Sequence, residues 1–396
     1  MGWSGFRMKF IERPELGQDM TFQPDKKRPI FNWFYYKEAF SSHLVDTLIK
    51  EYEMSGPVLD PFVGMGTVPL ECKYNGIISI GRDANPLAVL VSTVKCRNYD
   101  DEFLAKAENT YARMLDSIGK VKADFEWEFE LFPIEKAFPR RNIEVIKSLR
   151  TQIEAVDDQK MREFFLVALL SIIPQVNYVL KDGGVLKIIQ NKRAGDAKAL
   201  FRKKVRVMLK ELKMYGVAYD EPNIEVGSAT HLNLQNNSVN GIITSPPYLN
   251  NVDYTKVYGI EMSLLGMKGG VKEIRQNMVR SFIGRNASVK MDADYVYEKL
   301  MSHMGSPPLV AYAYFTDMLK VIEECHRVMR SGAVCAIVVG NSVLQRVNIE
   351  SDLILAEMAE DFGMESQVLV GSVRHADVPV KGKMPVRESA VIIRKI

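Results

Sequence analysis

Between Gly56 and Lys95, short apolar runs alternate with longer amphipathic segments. The run "PVLD" ends at a glycine-rich turn, a helical period follows to about Gly76, "IISIGRD" reads as a second strand, and a second helix opens after Pro86. Such alternation is a β-α-β-α unit and predicts a parallel sheet. From about residue 100 to 225 only the helical period persists, in "DEFLAKAENTYARMLDSI", in the stretch from Arg150 to Val179, and in the basic "NKRAGDAKALFRKKVRVMLKELK". No strands are expected there, so residues 100–225 read as a helical insertion able to form its own lobe. Strand signals return in "NIEVGSA", "GIITSPPY" and "GAVCAIVVGNS", with a long amphipathic helix in "YAYFTDMLKVIEECHRVMR". The closing pair "MESQVLVGSV" and "ESAVIIRKI" predicts an antiparallel hairpin. The chain therefore divides into 1–99, the insertion at 100–225, and 226–396, the outer two parts completing one α/β sheet.

The first thirty residues are polar, carry Pro14, Pro24 and Pro29, and read as an irregular lead-in. After them "FNWFYYKEAF" suits an aromatic strand or turn, and a helix begins near Ser41, a residue type suited to an N-cap. At 396 residues the chain is long for one core, which agrees with an insertion. Its composition, 47% hydrophobic and 26% charged, is that of an ordinary globular protein. The longest apolar run, Phe164 to Ile173, is about half a membrane span, and a cytoplasmic protein without membrane contact is expected. Cys72, Cys96, Cys325 and Cys335 lack metal-ligand spacing, so neither a disulfide framework nor a metal is assigned. A net charge of +3 permits a nucleic-acid partner without requiring one.

Two motifs carry candidate chemistry. In "VLDPFVGMGT" Asp60 ends a strand, and Gly64 and Gly66 sit in the turn into a helix, where a ligand can approach the backbone. Asp83, nineteen positions after Gly64, ends the next strand, where a carboxylate can accept hydrogen bonds from ribose hydroxyls. An ordinary strand-to-helix turn remains the bland reading of two glycines. Pro69 replaces a third glycine and no Gly-Lys-Ser/Thr follows, so an adenosine cofactor without phosphate fits better than a dinucleotide. In the second motif, Thr244 to Tyr248, a strand breaks into Ser-Pro-Pro-Tyr. Alone, it is a rigid strand-ending turn with a half-buried tyrosine, or a preorganised claw at the place where open α/β sheets put their chemistry.

Together, "DPFVGMGT" and "TSPPY" resemble cofactor motif I and catalytic motif IV of the S-adenosylmethionine-dependent amino-methyltransferases of DNA. "FNWFYYKEAFS", "GRDANPLA", "GSATHL" and "RVMRSGAVCAIVVGNS" are similar to further motifs of that family, over about two-thirds of the chain; the insertion is not covered. The resemblance implies a Rossmann-like methyltransferase fold and S-adenosyl-L-methionine held by Phe40, Ser41, Asp60, Pro61, Phe62, Gly64, Gly66, Thr67, Asp83, Ala84, Ser228 and Ala229. Ser228 stands where the family usually has an acidic residue, which implies contact with adenine chiefly through the backbone. It implies catalysis by Ser245, Pro246, Pro247 and Tyr248: the serine hydroxyl and Pro246 carbonyl accept the hydrogens of a base amino group, and Tyr248 stacks on the extruded base.

Ser-Pro-Pro-Tyr is typical of family members acting on cytosine N4, which makes that the leading expectation. An N6-adenine enzyme, an RNA guanine amino-methyltransferase, and a catalytically silent DNA-binding module stay open. No cysteine follows a proline, which argues against carbon-5 chemistry. Double-stranded DNA is the expected partner of a monomer or weak dimer, and the resemblance leaves room for a separately encoded cognate restriction endonuclease. Two basic segments are candidates for DNA contact: Lys192 to Lys213, equally readable as a solvated helix face, and the glycine-containing loop from Gly266 to Asn286, within a basic region near 266–310. Asn250, Asn251, Asp253 and Tyr254 suit either pocket shaping or ordinary turn-making.

Overall fold

The computed structural model describes residues 9–36, 39–182, 184–189, 191–250, 252–266, 274–275, 277–282, 291–378 and 382–396. Its strands are β1 (Lys9–Glu12), β2 (Val58–Asp60), β3 (Ser79–Asp83), β4 (Val179–Asp182), β5 (Val185–Ile188), β6 (Asn223–Val226), β7 (Val239–Thr244), β8 (Met329–Gly340), β9 (Ser342–Leu344), β10 (Val347–Ile349), β11 (Glu365–Val378) and β12 (Gly382–Arg394). Eight form one sheet in the order β1-β11-β12-β8-β7-β2-β3-β6. The run β8-β7-β2-β3-β6 is parallel. β12 lies antiparallel between β8 and β11, the predicted hairpin. This is the Rossmann-like methyltransferase architecture.

Burial on both faces explains the near-continuous apolar runs of β2 and β7. In β8 the faces separate by strict alternation. Cys335, Ile337 and Val339 pack with the Leu309–Val328 and Ser351–Asp361 helices, while Val334, Ala336 and Val338 pack with α1 (Ser42–Glu51) on the other side. α1 begins as expected, the Ser41 hydroxyl capping the Leu44 N–H. From β6, at one edge, the chain returns to β7 beside β2. The direction of winding therefore reverses between β2 and β7, leaving a crevice at their carboxyl ends.

The insertion departs from expectation. Beside its helices α4 (Asp101–Ser117), α5 (Ile134–Ala137), α6 (Arg140–Glu154), α7 (Gln159–Ile172) and α8 (Ala197–Tyr215), which follow α2 (Thr67–Tyr74) and α3 (Pro86–Cys96), it contains the antiparallel hairpin β4-β5. Its helices share one continuous core with Ile30–Phe34 and with α2 and α3 rather than enclosing a core of their own. Phe164 meets Trp33, Tyr99, Phe103 and Phe165 edge-on. Glu211 of α8 accepts from the Ile30 N–H and the Trp33 indole N–H, both at 2.8 Å. The lead-in is also not wholly irregular, since β1 pairs in parallel with Gln367–Val370. Its side chains are mostly exposed, so no apolar run announces it; backbone bonds at a sheet edge hold it. Among the described residues no helix is long and apolar enough to cross a membrane.

Candidate active site

β2 and β7 run side by side in parallel and end together. One hydrogen bond joins the two motifs: Thr244 Oγ1 donates to Asp60 Oδ1 at 2.7 Å. The same oxygen accepts the Phe62 N–H at 3.1 Å, starting the glycine turn. Asp60 is buried, with Asp83 nearby, and burial pushes its carboxyl up to about 7. Asp83 is shifted the same way, to about 6. Its two oxygens accept backbone N–H groups from Gly64 (2.9 Å) and Asn85 (2.8 Å). Each oxygen keeps a lone pair for a ligand hydroxyl, so Asp83 shapes the turn and stays able to bind ribose.

The glycines divide their labour. Gly64 has φ +48° with only ordinary contacts around a virtual Cβ, so it serves the turn and faces the cavity. Gly66 has φ +79°, and a Cβ there would stand 2.7 Å from Ser92 Cβ; it lets α2 pack on α3 and does not line the cavity. Lys95 of α3 pins the turn from behind. Its buried ammonium donates to the Met65 and Phe31 carbonyls, both at 2.9 Å, and burial pulls its pKa down to about 7.

A cavity of about 870 Å³, measured out to its mouth, opens at these strand ends. Of the expected residues, Phe40, Asp60, Pro61, Phe62, Gly64, Thr67, Asp83, Ala84, Ala229, Ser245, Pro246, Pro247 and Tyr248 line it. Ser41, Gly66 and Ser228 do not. Ser41 is fully buried as the α1 cap, donating to Asp19 at 2.8 Å. Ser228 Oγ bonds Thr230 and donates to the Asn277 carbonyl at 3.0 Å. It thereby anchors Asn277, Met278 and Val279, which form a wall the sequence reading had placed in a DNA-facing loop. No periodic signal marks those three residues. Tyr36, also unassigned before, lines the cavity and stacks on Tyr258 with centroids 4.6 Å apart.

The wall has a distinctive charge. Among its described residues are two aspartates and three tyrosine and two phenylalanine rings, but no lysine, arginine or histidine. Such a wall repels phosphate and welcomes a cation lying on aromatic faces. S-adenosyl-L-methionine, with a sulfonium, an ammonium and no phosphate, fits it: Asp60 for the positive end, Asp83 for the ribose, and the Gly64 turn for close approach.

Burial raises the Tyr248 phenol well above its ordinary range, and the Ser245 side chain opposes that shift. Room for that ring depends on Gly340 at the end of β8, where a Cβ would lie 2.9 Å from Tyr248 Cε2. A glycine closing a strand was the only sequence sign of this role. Asn250 Nδ2 donates to the Tyr254 hydroxyl at 3.1 Å, bracing a ring that lines the cavity. Asp253 accepts from Thr255 and from Arg275 (2.9 Å), so it builds the loop. Asn251 lies outside the described residues, as do 267–273, 276 and 283–290 of the basic loop. Arg280 of that loop clasps Asp317 through three hydrogen bonds. The four cysteines are buried and none lines the cavity. Burial pushes Cys96 up to about 12 and Cys72 higher, so neither of these two offers a thiolate for nucleophilic attack. Among the described residues no cluster of His, Cys, Asp or Glu is arranged for a metal.

A glycine turn, a strand-end aspartate and a rigid Ser-Pro-Pro-Tyr segment meet in one cation-favouring cavity of this fold, an arrangement consistent with an S-adenosylmethionine-dependent methyltransferase. No family model matches the chain. It is 27% identical to the Type II methyltransferase M.AvaI of Nostoc sp., over 92% of this chain and 85% of that one. It is 25% identical to the Type II methyltransferase M.BsoBI of Geobacillus stearothermophilus, over 87% and 81%. A shorter match, 30% identical, covers 30% of the chain and 21% of the Type II methyltransferase M.MjaII of Methanocaldococcus jannaschii. The chain's homologues are Type II methyltransferases.

Proposed function

We propose that the protein methylates the exocyclic N4 amino group of cytosine in a specific duplex DNA sequence, on a base extruded into the cavity. The observation that carries this reading is the Thr244–Asp60 hydrogen bond, which locks Ser-Pro-Pro-Tyr to the wall where the cofactor would lie. S-adenosyl-L-methionine supplies a methyl group already activated on a sulfonium. What the chain must do is prepare the weak nucleophile, an amino nitrogen whose lone pair is delocalised into the base.

The Ser245 hydroxyl and Pro246 carbonyl accept the two amino hydrogens, which localises the nitrogen lone pair and aims it along the transfer line. Pro246 and Pro247 fix their φ angles and supply no N–H, so the carbonyl stays oriented. Tyr248 lines the same cavity as Ser245, and its ring offers a stacking surface to a base that cannot be reached inside the duplex. Asp60 balances positive charge at the reacting end of the cavity, and Tyr36 and Phe40 exclude water. Serine at the head of the claw favours cytosine over adenine, in keeping with the family it resembles.

The test is Ser245→Ala assayed with duplex DNA. Loss of one preorganised acceptor should lower kcat by about 100-fold or more while leaving cofactor affinity within a factor of about two. Unchanged turnover would remove Ser245 from the chemistry.

A further inference from the structure

We infer that the β4-β5 hairpin is a DNA-reading ribbon that enters the major groove beside the extruded base. The inference rests on the DNA reading above and assigns a partner to an element the sequence pattern did not announce. Three observations carry it.

The first is position. A Cβ on Gly184, at the hairpin turn, would lie 3.5 Å from Cα of Val252, four residues past Tyr248. Lys181 of β4 reaches Glu261 at 2.7 Å and lies 4.0 Å above the Tyr258 ring. That ring in turn stacks on Tyr36 of the cavity wall. The hairpin is thus fastened to the mouth where a duplex must sit for its base to enter.

The second is the division of its faces. The register pairs Val179 with Ile188, Leu180 with Lys187, Lys181 with Leu186, and Asp182 with Val185. Val179, Lys181, Leu186 and Ile188 share the face toward the protein, the first three at least partly buried and Ile188 37% exposed at the open end. The opposite face presents Leu180, Asp182, Val185 and Lys187, all exposed, with Leu180 at 49% and Val185 at 55%. Apolar side chains so bare on a two-stranded ribbon are not covered by the described residues.

The third is chemistry. A two-stranded ribbon fits the major groove of B-form DNA. Lys187 donates to Asp182 at 2.6 Å across the exposed face. In the groove this pair matches what base edges offer: lysine donates to guanine O6 and N7, aspartate accepts from cytosine N4, and Leu180 and Val185 suit a thymine methyl. The ion pair stands in for those base contacts when DNA is absent.

The experiment compares wild type with Lys187→Ala and with Leu180→Ser/Val185→Ser. It measures cofactor affinity, KM for duplex DNA, the set of sequences methylated, and sedimentation. All three side chains are exposed, so melting temperature should hold. Expected are unchanged cofactor affinity, a KM for DNA raised about tenfold or more, and a relaxed sequence preference in Lys187→Ala. Wild-type sequence preference and KM in both variants would overturn the ribbon while leaving the DNA reading intact. A wild-type dimer that the Leu180→Ser/Val185→Ser change dissociates would overturn it in favour of contact between copies. Wild type that methylates RNA alone would overturn the DNA reading and the ribbon with it, because the deep, narrow groove of A-form RNA excludes such a hairpin.

Discussion

Asp60 is the residue at which fold and chemistry meet. It ends β2, turns the chain through the Phe62 N–H, holds β7 through Thr244, and faces the cavity. Its carboxyl, displaced by burial from 3.8 to about 7, gives the protein a definite pH response. Between those values the folded state retains a proton that the unfolded chain releases. The contribution of Asp60 to stability is therefore present below about 4 and is lost as pH rises to about 7. Cofactor binding runs the other way, since the cation favours the ionised form. Affinity measured calorimetrically should fall as pH drops below about 7, with proton release on binding in that range. Asp60→Asn should bind more weakly and lose this acid limb. Thr244→Val keeps the volume but strips Asp60 of a donor, and should reduce kcat more than cofactor affinity. Asp60, Asp83 and Ser245 line one cavity, a convergence legible in the sequence because strand ends beside small or rigid residues gather at one edge of a parallel sheet. Ser41 and Ser228 fall outside the cavity lining, their hydroxyls serving as a helix cap and a loop brace, and only geometry separates such uses from ligand contact.

At the scale of elements, two glycines test the packing. Gly66→Ala forces a Cβ against Ser92 at a positive φ and should cost about 1–3 kcal/mol of stability, read by denaturant unfolding. Gly340→Ala presses instead on the edge of the Tyr248 ring, so it should depress turnover with a smaller effect on stability. β2 and β7 were legible because burial on both faces writes a near-continuous apolar run. β4 and β5 were missed although their two runs are separated by Gly183-Gly184, a hairpin signal in its own right. The helical period on either side masked it, together with an exposed face that breaks the usual alternation. β1 carried no such signal, since its partner β11 lies more than 350 residues away and its stability is backbone pairing.

For the whole molecule, the insertion and the sheet share aromatic contacts. Phe164→Ala, which empties the junction of Trp33, Tyr99 and Phe103, should cost about 3–5 kcal/mol and shift one cooperative transition; two separated transitions would mark an independent lobe. The sequence period placed the helices there but not the core they join, because that depends on which apolar face meets which. The central claim, amino methylation of cytosine in DNA, is tested most directly by incubating the protein with duplex DNA and isotopically labelled cofactor, digesting to nucleosides and analysing them by mass spectrometry. Label in N4-methylcytosine is the result expected. Label in N6-methyladenine, or in RNA alone when both nucleic acids are offered, would contradict it.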